Sequence, residues 1–199
     1  MHNINYLTYL THFPTLRRMV IIFMLTIFIP YLFIKDFVRH PVVNDVYDIL
    51  IGLVAGILTF YLSVFISRSI KKYITKNREN HSSKSMIKSI LNSTSFPRAL
   101  LLVLASIIVY SIVEEILFRS ILLNFIALRL GNIYAILVSS FIYAILHLNN
   151  KIIQLFIMGC CFSLLLIYTG NLLTPIIAHI TNNTLVLMVH IYKNIKGNK

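Results

Sequence analysis

The sequence predicts an all-α protein: a multi-pass transmembrane helical bundle of about six spans. Three observations carry that prediction. Of 199 residues, 58% are apolar and only 12% are charged, with a mean hydropathy of +0.82; an average soluble domain carries about 25% charged residues. The apolar residues gather into six runs separated by short polar breaks. The 18 Lys and Arg outnumber the six Asp and Glu, and nearly all the basic residues fall between the runs. An ordinary soluble globule is excluded, because too little polar surface exists to cover it. Disorder is excluded by the hydrophobicity. A disulfide scaffold is excluded because the two cysteines, Cys160 and Cys161, are adjacent. They sit in an apolar run, where cysteine behaves as a small hydrophobe. The basic excess reads as a topology signal rather than a nucleic-acid surface, and no nucleic-acid partner is expected.

Taken in order, residues 1–18 form a polar-aromatic tail ending in Arg17 and Arg18. It lacks the features of a signal peptide and is expected to be cytoplasmic. Met19 to Ile34 is a short first span containing Pro30, which tilt or snorkelling arginines can adapt to the bilayer. Lys35 to Asp48 is a connector. Ile49 to Ser67 is the second span, and its Gly52-x-x-x-Gly56 spacing offers a close-packing face, expected to be used within the chain. Arg68 to Arg98 holds eight basic residues against Glu79 and is placed in the cytoplasm, against anionic headgroups. Four runs follow: Ala99 to Leu128, Ile133 to His147, Ile152 to Tyr168 and Leu172 to Ile191. Their breaks are Gly131-Asn132, Asn149-Asn150-Lys151 and Gly170-Asn171. The first of these four is 30 residues, ~45 Å as a helix against a ~30 Å hydrocarbon core, so it must tilt, break or leave the bilayer. Six spans put both termini inside, where Lys193, Lys196 and Lys199 agree. The chain thus divides at 1–98, with tail, two spans and basic loop, and 99–199, with the core.

Glu114 and Glu115 do not belong in an apolar run, where an ionisable residue costs several kcal/mol and is a functional-site hypothesis by default. Glu115 and Arg119 are four apart with the acid on the N-terminal side, the orientation of a helical ion pair. Glu114 is rotated by about 100° from Glu115, so it should point elsewhere, without a local counter-charge, as a general base requires. A structural ion-pair network would account for Glu115 and Arg119 alone. His147 ends the fourth run, with Tyr143 four residues back on the same face. His179 and Asn183 are also four apart, and Pro175 suits the first turn of their helix. Each of these has a plain structural reading, an interfacial histidine or an interhelical hydrogen bond. Together, a carboxylate, an arginine, two histidines and an amide on three apolar segments are what a water-activating site needs. Glu114, His147 and His179 would equally suit a divalent metal such as zinc with an open fourth position, so metal-free and metal-assisted activation both stay open.

At these residues the sequence resembles the CPBP family, also called the Abi or type II CAAX prenyl protease family of intramembrane endopeptidases. Glu114, Glu115 and Arg119 match its Glu-Glu-x-x-x-Arg motif. Tyr143 and His147 match Phe-x-x-x-His, with Tyr in place of Phe. His179 and Asn183 match His-x-x-x-Asn after a Pro-Ile-x-x-His context at Pro175. The likeness covers about residues 99–190. It implies an intramembrane protease that cuts a membrane-associated peptide or protein, with Glu114 as general base, His147 as its partner, His179 and Asn183 at the oxyanion, and Glu115 and Arg119 as supports. In bacteria the family is linked to peptide processing, bacteriocin self-immunity and surface-protein display. The added Tyr143 hydroxyl needs a partner if buried.

Two other readings compete. A non-enzymatic bacteriocin-immunity or membrane scaffold protein would keep the motif residues for partner binding. A transporter would use both carboxylates for coupling, but it calls for repeats that the sequence lacks. The predicted ends also conflict with a single site. They put His147 near the cytoplasmic side and Glu114 ~24 Å from Arg98, with His179 entering from the opposite side. Convergence requires shifted ends, a broken third helix or a deep funnel.

Overall fold

A computed structural model describes residues 46–73, 96–147 and 152–197. The expected first span, most of the connector and basic loop, and Lys151 lie outside the described residues. Every described element is helical. Helix α1 is Val46–Tyr73. Helix α2, Phe96–Glu115, runs without a break into a π-helical segment, Ile116–Leu123, and then α3, Asn124–Leu130. Helices α4 (Asn132–Leu146), α5 (Ile152–Thr169) and α6 (Leu173–Gly197) follow. The turns come where the sequence places them: Gly131 and Gly170 adopt φ of 83° and 67°, a left-handed backbone that favours glycine.

Among the described residues, three stretches are long and apolar enough to cross a membrane: Val46–Ser69, Leu100–Leu130 and Ile152–Thr169. Helix α4 is apolar but has 15 residues, about 22 Å. Helix α6 falls outside that set because His179, Thr181, Asn182, Asn183 and Thr184 interrupt its apolar character. Of those, His179 and Asn182 are buried in the bundle, where intramembrane polar groups belong.

The packing is that of a protein in lipid. On α1, Leu50, Leu53, Val54, Ile57, Leu58, Tyr61 and Phe65 face outward, while Gly52, Gly56, Thr59 and Ser63 face the neighbouring helices. Lipid is as apolar as leucine, so close approach of backbones and hydrogen bonds drive the assembly. A Cβ on Gly52 would lie 2.8 Å from the Thr174 carbonyl oxygen, and one on Gly56 would lie 2.6 Å from Thr181 Cβ. The Gly-x-x-x-Gly face is therefore spent within the chain, against α6, as expected. Asn171 joins the same two helices at their starts: its Nδ2 donates to Asp48 Oδ2 at 2.6 Å, and its Oδ1 accepts the Leu173 N–H at 3.0 Å, capping α6. Gln154 ties α5 to α1, donating to Ser63 and accepting from Ser67. Helices α4 and α5 approach through Gly159, whose Cβ would be 2.9 Å from Ser140 Cβ.

This connectivity collects the starts of α1, α4 and α6 and the end of α5 on one side, where Tyr47, Tyr134 and Tyr168 are exposed. Exposed Arg68, Arg98, Lys193 and Lys196 occupy the other ends.

The long third run contains no turn. Its helix is continuous but changes pitch directly after Glu115. Four consecutive residues of the π segment, Leu117, Phe118, Arg119 and Ser120, are buried together with Leu123. Such segments are rare and recur at functional sites.

Candidate active site

The acidic pair sits at the junction of α2 and the π segment. Both side chains are buried, Glu114 at 6% and Glu115 at 0% exposure. A carboxylate at that depth needs compensating partners, and the chain supplies them from three other elements. His147, one residue past the end of α4, places Nε2 3.5 Å from Glu114 Oε1. His179, in the second turn of α6, places Nε2 3.6 Å from Glu114 Oε2. Its Nδ1 lies 2.8 Å from Glu115 Oε1. Arg119 Nε lies 3.2 Å from Glu115 Oε2.

The expected division of labour is corrected here. Glu115 does pair with Arg119 in the predicted i, i+4 sense, but it is also bonded to His179. Glu114 does not point away without a counter-charge: two imidazoles bracket it, and the two carboxylates share His179. The single-helix argument missed this because His179 lies 64 residues on, and α6 brings it between them.

The outer contacts set the orientation of each ring. His147 Nδ1 lies 2.8 Å from the Tyr143 carbonyl oxygen. A carbonyl only accepts, so Nδ1 carries a proton and the ring is held with Nε2 toward Glu114. His179 Nδ1 faces the Glu115 carboxylate and is protonated by the same logic. Its ring stacks on Phe162 at 5.1 Å and meets the Tyr143 ring edge at 6.4 Å. Arg119 Nη2 donates to the Gly159 carbonyl oxygen at 3.3 Å. Its guanidinium carbon lies 4.7 Å from the Tyr143 ring, 5.6 Å from Phe162 and 5.9 Å from Phe118. An arginine is a tolerable buried ion there because carboxylate, carbonyl and three aromatic faces share its charge.

Tyr143 is 2% exposed. Its ring packs edge-on to Phe118 at 5.1 Å and lies 4.5 Å from the His147 ring.

Asn183 lies one turn beyond His179. Its Nδ2 donates to Ser111 Oγ at 3.4 Å and its Oδ1 accepts from Asn182 at 3.3 Å. Ser111 is fully buried one turn before the acidic pair, so Asn183 ties α6 to α2 at that turn. Sequence reasoning missed Ser111, Gly159 and Phe162. Ser111 carries a signal, since it shares a helical face with Glu114 and Glu115. Phe162 and a backbone carbonyl carry none in an apolar helix.

Helix α4 is about 22 Å long, and His147 just past its end meets Glu114 with its own side chain 21% exposed. Among the described residues, no group of three or more His, Cys, Asp or Glu side chains is arranged to hold a metal ion.

Residues 96–185 match the family described as type II CAAX prenyl endopeptidase Rce1-like. A Bacillus subtilis (strain 168) protein named "Putative membrane peptidase YdiL" is 35% identical over 92 residues, which are 46% of this chain and 38% of that protein. The chain thus matches well under half of that relative's length. No solved structure matches.

Proposed function

We propose that this chain, which over residues 96–185 matches the family described as type II CAAX prenyl endopeptidase Rce1-like, is an intramembrane endopeptidase hydrolysing a peptide bond of a membrane-associated peptide or protein. The observation that carries the reading is the buried Glu114 carboxylate held between two imidazole nitrogens at 3.5 and 3.6 Å.

Those gaps are longer than an N–H···O bond and suit a bridging water. A water there has two acceptors for its protons, a Glu114 oxygen and, when the His147 ring is neutral, its Nε2, which leaves the water's own lone pair free for a carbonyl carbon. Glu114 takes one proton as the water oxygen bonds to that carbon. The carbonyl electrons move onto its oxygen. Donors for that oxyanion are His179, when both its nitrogens are protonated and Nδ1 is held by Glu115, and the Asn183 amide. As the tetrahedral carbon collapses, the C–N bond breaks and the proton on Glu114 passes to the leaving nitrogen. The products are a carboxylic acid and an amine. Arg119 offsets the Glu115 charge that steadies His179.

The peptidase core is assigned to 99–199, with α1 as a flank of α6. The protein is placed in the cell membrane with its basic helix ends and both termini in the cytoplasm. The exposed basic residues Arg68, Arg98, Lys193 and Lys196 at those ends support that orientation.

The test compares the termini of membrane proteins and secreted peptides in cells carrying wild type, Glu114→Gln or no copy, at equal membrane abundance. New termini that appear with wild type alone identify the substrate. Identical termini in all three, with an immunity phenotype that survives Glu114→Gln, would assign the protein to the non-enzymatic reading.

A further inference from the structure

Ser111 lies outside the three motifs, yet it touches the site at the turn that carries the base. It stands three residues before Glu114 and four before Glu115 on α2, so it shares their helical face. Its side chain is fully buried, and a buried hydroxyl needs a partner. That partner is on another helix: Asn183 Nδ2, on α6, donates to Ser111 Oγ at 3.4 Å. The other end of the same amide is also taken. Asn183 Oδ1 accepts from Asn182 Nδ2 at 3.3 Å, and Asn182 is itself buried. A primary amide has two N–H donors and one carbonyl oxygen. Contacts at both ends of this planar group fix its plane, and they leave one N–H without a partner among the described residues. Asn183 is only half-buried, whereas Ser111 and Asn182 are sealed inside the bundle. The unspent N–H therefore belongs to the one member of the trio that is open to a substrate.

We propose that Ser111 is a positioning residue for Asn183. Its hydroxyl accepts one amide proton and so aims the other at the oxyanion that forms beside Glu114. The bond also joins the helix of the base to the helix of the oxyanion donor at a single turn. It thereby sets the spacing of two groups that must act on one carbonyl. A bond that only held α2 against α6 would serve stability and leave the chemistry untouched. The proposal rests on the peptidase reading, with Glu114 as base and Asn183 at the oxyanion, whereas the bond itself can be tested without any substrate.

Ser111→Ala removes one oxygen at a helical position that suits alanine, so the variant should accumulate. Full-length wild type, Ser111→Ala, Asn183→Ala and the double variant form a double-mutant cycle. In detergent unfolding, the double variant should lose less stability than the two single losses added together. Strictly additive losses would overturn the bond, and the proposal with it. Once a cleavage is identified from its termini, the same four proteins are compared in kcat and KM. Ser111→Ala should lower kcat about tenfold, the order of one hydrogen bond, with KM unchanged. Asn183→Ala should lower it about 100-fold or more, as loss of an oxyanion donor does. In the Asn183→Ala background, Ser111→Ala should cost nothing further, because no amide remains to be aimed. An unchanged kcat in Ser111→Ala, or an equal fall in both backgrounds, overturns the positioning role even where unfolding shows coupling. Absence of any cleavage by wild type defeats the peptidase reading and the positioning role that rests on it, while the coupling in unfolding still records the bond.

Discussion

Replacing Gly56 with alanine tests whether α1 is part of the catalytic apparatus. The added Cβ would lie 2.6 Å from Thr181 Cβ and 2.7 Å from the Ala178 carbonyl oxygen, where ordinary contact begins at 3.4 Å. Neither atom is the end of a flexible side chain, so neither can rotate away. The helices must separate by somewhat under 1 Å. Alanine is the better helix former by about 1 kcal/mol, and overpacking costs about 1–3 kcal/mol, so the fold loses up to about 2 kcal/mol and still assembles. The larger effect falls on chemistry. Ala178 adjoins His179, which stands 3.6 Å from Glu114 and 2.8 Å from Glu115. A displacement of about 1 Å in such a site can cost about 100-fold in rate. The assay is the cleavage found by the termini comparison, measured beside detergent unfolding, with Leu58→Ala on the exposed face of the same helix as control. Gly56→Ala should lose cleavage out of proportion to stability, and Leu58→Ala should lose neither. Gly56→Ala with wild-type cleavage and equal or higher stability would refute the close docking of α1 on α6.

Two further outcomes follow from the buried polar contacts. Arg119→Gln leaves the Glu115 charge without its cation, and breaking such a pair costs about 3–5 kcal/mol; the unfolding midpoint should fall sharply, and the double variant Glu115→Gln/Arg119→Gln should recover a large part of it, whereas equal loss in both would deny the pairing. Asn171→Ala removes the bond to Asp48 and the cap on Leu173. It should cost at least the 0.5–2 kcal/mol of a lost N-cap, and an unchanged unfolding midpoint would deny that Asn171 holds the start of α6 against α1.

The sequence by itself determined the class of molecule and the cast of the site. A composition with 12% charge leaves lipid as the only solvent that suits its surface. Two adjacent acids in an apolar run mark themselves, because nothing in lipid tolerates them by accident. Glycine breaks at Gly131 and Gly170, and the Gly52 and Gly56 face, were legible for the same local reason: a missing side chain acts on its own backbone or its nearest neighbour. The Glu115 to Arg119 pair was legible because both residues lie on one helix. What only tertiary structure decided is how the helices meet. His179 lies between the two carboxylates, and no periodicity along α2 or α6 encodes that. The π segment after Glu115, with Leu117 to Ser120 buried, has no signal in the spacing of its residues. The partners of Arg119 include a backbone carbonyl at Gly159 and the ring of Phe162, neither of which differs in sequence from its apolar surroundings. Short-range spacing records which residues share a face. The pairing of faces across 30 to 120 residues is a property of the packed bundle, and the site exists only there.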